Sequence, residues 1–309
     1  MQGIKKTILN LRILLIAITT LTVHVAVGQS EMVNTKRLQL ATYRYAENSR
    51  VENLLPLADI LEKELGREIN VLSYPSIEEL IGAIKENKAD IALISTMGYL
   101  LLNEQKKDSI MEPVLTLTVP EDSKGNYRTA FVVADESRFN SLEDIRPLKD
   151  ITMTLVRASS TSGNLIPRAV YAERGIPHLE SEFKEVNYSG SHKASVDSLL
   201  SGSTDLVAIG STEYFLNAEN PKNKNRIKLV HMSEPIPLGP LLLNKELENN
   251  LKEDIKRVLL SLHEKGPDAF SSLKSGWAEA EHAERFLQID RSYYEKFLSI
   301  YNLKDFIMK

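Results

Sequence analysis

The chain has 309 residues, 42% of them hydrophobic and 26% charged, with no cysteine and a formal charge of −4. That length supports a full core spread over about two domains. Zero cysteines exclude disulfides, thiolate metal sites and a cysteine-borne lipid anchor, and the acidic balance has the wrong sign for a nucleic-acid binder.

Residues 1–28 differ from the rest. Lys5, Lys6 and Arg12 precede an apolar run over 13–27 that closes on Ala26-Val27-Gly28, the pattern of a secretory signal peptide cleaved before Gln29. The run is short for a membrane span, which ranks an uncleaved anchor second. Without this segment 35 Lys and Arg face 42 Asp and Glu, a balance of −7. A soluble, cysteine-free export of this size fits a bacterial periplasm better than the disulfide-rich extracellular classes.

Alternation over 37–43 predicts a first strand. Leu54, Ala58, Leu61 and Leu65 then share one helical face over 52–65, closed by Gly66, with Pro56 tolerated if it falls in the first turn. A strand over 69–74, a helix over 77–86 opened by Pro75-Ser76, and a short buried strand at Ile91 complete a β-α-β-α-β unit. That alternation predicts a parallel sheet covered by helices. A strand over 114–119 follows, and the polar passage 120–126 is the predicted first crossing between lobes. The grammar then repeats: strands over 127–134, 151–156, 183–188 and 205–209 alternate with helices over 141–145, 164–174 and 193–200. The Pro-rich loop 235–240, between strands over 227–231 and 241–243, reads as a stiff return connection. From Leu251 the chain reads as helical to its end, with Trp277, Phe286, Phe297 and Phe306 packing against a lobe. The predicted class is α/β with two lobes, each an open, mostly parallel sheet flanked by helices. Residues 36–125, completed by about 235–309, form the first lobe, and 126–234 the second.

In open α/β sheets ligands sit beyond the carboxyl ends of the strands, where loops lead into helix N-termini. Three predicted loops share one chemistry there: Ser95-Thr96, Ser159-Ser160-Thr161-Ser162-Gly163 and Ser189-Gly190-Ser191-His192. Each offers hydroxyl or amide donors and no carboxylate, so facing one cleft they would trap an anion with dipoles. Taken alone, a Ser/Thr turn before a helix is an ordinary N-cap. A lone histidine such as His192 at a helix start is likewise more often a cap or surface residue. As imidazole it could donate to an anion, and as imidazolium it would add charge in a pH-dependent way.

At these residues the chain resembles the periplasmic phosphate/phosphite/phosphonate-binding proteins of ABC importers, a branch of the two-lobed type II solute-binding fold. The resemblance covers about residues 36–275 and is carried by Ser160-Thr161-Ser162-Gly163 followed by Pro167. Ser189-Gly190-Ser191-His192, Lys88-Ala89-Asp90-Ile91-Ala92 and residues 233–240 support it. It implies that Ser160, Thr161, Ser162 and His192 hold the phosphoryl oxygens and that Ser95 and Thr96 contribute from the other lobe. The expected partners are a small oxyanion and an ABC permease or membrane sensor. No cofactor, metal, catalytic residue or nucleic acid is expected, and the protein should act as a monomer.

The pattern departs from its relatives in two places. Leu238-Gly239 precede Pro240 where aminoalkylphosphonate binders of this kind carry an acidic residue, which leaves Glu213 as the candidate amine partner. Leu93-Ile94 replace an aromatic residue beside the third-strand loop, with Tyr43, Tyr45 and Tyr74 as compensating candidates. A smaller oxyanion or a differently substituted phosphonate therefore fits at least as well as an aminophosphonate. Three other readings rank lower. A sensor-kinase partner would use the same fold. An exported hydrolase with His192 as base lacks a G-x-S-x-G elbow. A ferric-ion site at Tyr293-Tyr294 would need two side chains that point about 100° apart on a helix.

Overall fold

A computed structural model describes residues 37–104, 109–119 and 125–295. The predicted signal peptide, most of the predicted first crossing, Phe297 and Phe306 lie outside the described residues.

Strand β1 (Leu38–Tyr43), almost wholly buried, pairs in parallel with β2 (Ile69–Tyr74) on one side and with β3 (Ile91–Leu93) on the other. Helices α1 (Val51–Leu65) and α2 (Ile77–Lys85) connect them and turn apolar faces inward, Leu54, Leu57, Ala58 and Leu61 from the first and Ile77, Leu80, Ile81 and Ile84 from the second. Because α1 starts at Val51, Pro56 falls in its second turn, later than the sequence predicts. The missing N–H concerns the carbonyl of exposed Glu52, where water can take over. Helix α3 (Thr96–Glu104) leads from β3 towards β4 (Met111–Thr118).

The chain then enters a second sheet. It consists of β5 (Thr129–Ala134), β6 (Thr152–Leu155), β7 (Glu185–Tyr188), β8 (Leu206–Gly210) and β9 (Ile227–Met232), in the order β7-β6-β8-β5-β9. Its helices are α4 (Ile166–Glu173), the single-turn α5 (Leu179–Glu182), α6 (His192–Leu200) and α7 (Ser211–Glu219). Residues 233–239 return the chain to the first sheet as β10 (Pro240–Asn244), which inserts between β3 and β4. Helices α8 (Asn249–Leu260), α9 (Leu262–Lys265) and α10 (Pro267–Ser275) follow, and β11 (Arg285–Gln288) closes the order β11-β4-β10-β3-β1-β2.

Each sheet is parallel over its three consecutively wound strands, β2-β1-β3 and β7-β6-β8, and antiparallel where crossing strands join. Helical crossovers force parallel pairing only within one winding. The two windings share a further device. Asp90 and Asp205, each just before a central strand, accept the amides of Gln39 and Thr152 on the neighbouring strand, both at 2.8 Å.

Two elements differ from the sequence expectation. Residues 141–145 form one turn, with the Asp144 amide bonded to Ser141, and only the single 3-10 turn Leu148–Asp150 follows before β6. Arg146-Pro147 comes next, and a residue before proline is kept out of helical geometry. The carboxyl-terminal region is not helical throughout, since β11 pairs with β4 and buries Phe286. Phe286 alone of its four residues points inward, as an edge strand allows.

Candidate anion-binding cleft

A cavity of about 100 Å³ opens where the loop after β1 and the turns after β3 and β6 converge, lined by residues of both lobes. The turn after β6 is its most elaborate wall. Thr161–Leu165 winds as one π-type turn before α4, with the amides of Leu165 and Ile166 reaching back five residues to the carbonyls of Ser160 and Thr161. Pro167 has no N–H to offer Gly163, whose carbonyl accepts the Val156 amide instead at 2.9 Å. The Ser162 carbonyl takes the Thr129 hydroxyl at 2.8 Å. Every carbonyl from Ser160 to Gly163 thus has a partner. The amides of Thr161 and Ser162, opening the turn, have no intrahelical carbonyl to bond.

The hydroxyls are oriented by what they accept. Ser160 Oγ accepts the Gly163 amide at 3.0 Å and Ser95 Oγ accepts the Gly98 amide at 3.2 Å. Thr161 Oγ1 accepts the Met97 amide across the cleft at 2.9 Å. Each oxygen is pinned by a backbone N–H, and each O–H hydrogen remains free to donate. Ser162 Oγ is shared with the Tyr127 hydroxyl at 2.8 Å, and burial holds that phenol well above its usual titration range. Helix α2 adds a third N-terminus, with Ser76 capping it through the Glu79 amide and Ile77 and Glu78 lining the cavity.

His192 opens α6, with Ser191 as the N-cap that accepts the Ala194 amide at 3.1 Å. The imidazole Nδ1 accepts the Gly210 amide at 3.0 Å. An accepting Nδ1 places the proton on Nε2, so the neutral ring is a donor. Burial first, and the Arg157 guanidinium second, lower its pKa to about 4 and keep it in that form.

Of the sequence candidates, Ser95, Ser160, Thr161, Ser162, His192 and Tyr43 all line the cavity. Thr96 and Glu213 do not. The Thr96 hydroxyl donates to the Pro237 carbonyl at 2.6 Å, so its hydrogen is already committed to the return segment. The Glu213 carboxylate, in the first turn of α7, accepts the Asn217 side chain at 2.8 Å. The Ser189 hydroxyl also turns inward, to Ser195 at 2.6 Å, so the third predicted loop supplies only His192. The missing acidic residue before Pro240 has a steric reason. A Cβ on Gly239 would lie 2.0 Å from the Ile94 carbonyl oxygen, so this backbone admits no side chain there.

Residue-by-residue reading missed a second group. Arg50 is 2% exposed and lies between aromatic rings, 4.5 Å from the centroid of Tyr43 and 4.4 Å from that of Trp277. Its Nε donates to the Gly276 carbonyl at 2.8 Å. Arg157 sits 4.6 Å over the Tyr45 ring and donates through Nη2 to the Gly190 carbonyl at 2.6 Å. Glu279, from the segment after α10, brings a carboxylate to the same cavity. Tyr74, a suggested stand-in, is not among the lining residues, whereas Tyr45 is. Among the described residues no cluster of three or more His, Asp or Glu is placed to hold a metal. The Tyr294 hydroxyl is committed to the Leu238 carbonyl at 2.6 Å.

Two sheets joined by crossing segments, with hydroxyls and helix N-termini meeting between them, are the architecture of the two-lobed type II solute-binding fold. The sequence profile of the periplasmic substrate-binding proteins of phosphonate ABC transporters matches residues 42–287, and the chain belongs to that family. The phosphonates-binding periplasmic protein of Escherichia coli (strain K12) is 28% identical over 228 residues, covering 72% of this chain and 65% of that relative. A probable ABC transporter phosphite binding protein, PhnD1 of Prochlorococcus marinus (strain MIT 9301), is 23% identical over 251 residues, 75% of this chain and 82% of its own. The structure of PhnD1 from Prochlorococcus marinus (MIT 9301) in complex with methylphosphonate shares the fold with a TM-score of 0.67 at 19% identity, covering 88% of this chain and 99% of that one.

Proposed function

We propose that the protein captures a phosphorus oxyanion, a phosphonate, phosphite or phosphate, between its lobes and delivers it to an ABC permease. The observation that carries this reading is the polarity of the cleft. Ser95, Ser160 and Thr161 each accept a backbone amide and keep a hydrogen to give, beside two turn amides that have no intrahelical carbonyl and a neutral histidine that donates. A fully ionised phosphoryl group presents only acceptors, and matched donors avoid a cost of roughly 1–3 kcal/mol for each group otherwise left unpaired. The family membership and the phosphite and methylphosphonate named for its relatives point the same way.

The polarity of His192 also favours binding over hydrolysis. A serine hydrolase holds its histidine through an Nδ1–H donated to a carboxylate, whereas here Nδ1 accepts a backbone amide. The family setting supports release into a periplasm, with removal of residues 1–28 as the route. Among the described residues no helix is long and apolar enough to cross a membrane. Isothermal calorimetry against phosphate, phosphite, methylphosphonate and aminoethylphosphonate tests the proposal. Saturable heat with at least one of them is expected, and no heat with any of them overturns it.

A further inference from the structure

The Ser/Thr turn accounts for one end of a ligand and leaves unexplained the positive charge that lines the same cavity. Arg50 comes from the loop after β1 and Arg157 from the strand end at β6, so the two reach the cavity from different lobes. They meet at Tyr45, whose ring centroid lies 5.6 Å from the Arg50 guanidinium and 4.6 Å from that of Arg157. Both are oriented by carbonyl oxygens, Gly276 and Tyr43 for Arg50 and Gly190 for Arg157. Carbonyls aim a guanidinium but do not neutralise it. Among the described residues neither arginine forms an ion pair with a carboxylate. A cation as buried as Arg50 ordinarily has an anionic partner. The Tyr45 hydroxyl is buried and donates to no partner among the described residues, and the nearby His192 amide can only donate to it, so its hydrogen is left for a ligand.

We propose that Arg50, Tyr45 and Arg157 form a second subsite that takes an acidic substituent, so that the preferred ligand is a phosphonate carrying a second negative group such as a carboxylate. The inference rests on the phosphoryl group being held at the Ser160-Thr161 turn. A carboxylate is the natural complement of two guanidinium forks and one phenolic donor. Glu78 and Glu279 also line the cavity and would instead favour an ammonium substituent. Glu78 is exposed to water, which weakens its field. Arg157 and Glu279 act on the Tyr45 hydroxyl in opposite directions. Burial pushes that phenol up to about 12, so it remains a donor at any working pH.

The test compares phosphonoacetate, methylphosphonate and aminoethylphosphonate by calorimetry with the wild type, Arg157→Gln and Arg157→Lys. Phosphonoacetate is expected to bind the wild type about tenfold tighter than aminoethylphosphonate, as one charge-assisted contact supplies. In Arg157→Gln that ratio should fall close to one, with Arg157→Lys between the two. Because the readout is a ratio within one variant, a general loss of affinity does not imitate it. If methylphosphonate binds but aminoethylphosphonate matches or exceeds phosphonoacetate, or if the ratio survives Arg157→Gln, the acidic subsite is overturned while the phosphoryl site stands. If no phosphonate, phosphite or phosphate binds at all, the underlying reading fails with it.

Discussion

The turns after β3 and β6 are built on one four-residue pattern and serve different ends. Ser95-Thr96-Met97-Gly98 and Ser160-Thr161-Ser162-Gly163 each use the first serine to accept the amide of the fourth residue. In both, the glycine lies against a neighbour that a Cβ would strike, Ile77 in the first and Val156 in the second. The threonines part company. Thr96 gives its hydrogen to Pro237 and ties the return segment to the first lobe. Thr161 accepts from Met97 across the cleft and keeps its hydrogen. Two identical side chains at matching positions therefore differ in use because the first hydrogen bond each makes has opposite polarity.

That contrast can be broken in order of expected effect. Gly163→Ala would place a methyl 2.3 Å from Val156 Cγ2, a stiff neighbour, and is expected to destabilise the fold by about 3 kcal/mol in denaturant unfolding. Gly98→Ala meets the terminal Cδ1 of Ile77 at 2.3 Å, which can rotate away more easily than a Val Cγ, and Ile94 Cγ1 at 2.6 Å, and a loss of about 1–2 kcal/mol is expected. Equal losses would mean that the two turns are equally rigid. Next come the threonines. Thr161→Val removes a donor from the cleft and the acceptor of the buried Met97 amide, so calorimetry should show affinity for the best oxyanion falling about 30-fold. Thr96→Val leaves the Pro237 carbonyl without its donor, and is expected to cost about 1 kcal/mol of stability with less than about a threefold change in affinity. Matching affinity losses in the two variants would remove the distinction between donor and tie.

Ser160→Ala and Ser95→Ala each delete a cap and a donor. Each should lower stability by about 1 kcal/mol, and comparable effects on affinity would show that both lobes grip the anion. The last prediction concerns His192, which has no counterpart in the first lobe's turn. Its folded pKa, about 4, lies below the ordinary 6.5. The unfolded chain thus binds more protons between these values, and stability present above pH 6.5 is lost as pH falls towards 4. The slope is at most about 1.4 kcal/mol per pH unit. His192→Gln should flatten the stability profile over that window, as thermal unfolding at several pH values would show. An unchanged profile would mean that the imidazole is not held neutral.

Much of this could be read before folding was considered. A hydroxyl-rich turn between an apolar strand and a helix is a local arrangement, and five of the six turn and histidine candidates, Ser95, Ser160, Thr161, Ser162 and His192, line one cavity. The repeated Ser-Thr-x-Gly was also legible, had the two turns been set side by side. Arg50 was not, because the residues that cage it, Gly276 and Trp277, come from the far end of the chain. Glu279 was hidden for the same reason, in a region whose periodicity reads as continuous helix. Glu213 misled because a carboxylate at a helix start looks available until Asn217, one turn later, is seen to donate to it.

Sequence by itself determined the two windings, the donor-rich turns and the absence of an acidic residue before Pro240, since periodicity, capping and residue identity act over a few neighbouring positions. Tertiary structure alone decided which hydroxyls still hold a free hydrogen, why Gly239 can be nothing else, and where a buried and a half-exposed guanidinium meet. Those outcomes depend on which groups the crossing segments bring within about 3 Å of one another, and a hydrogen bond's direction is set by its partner, which local sequence does not contain.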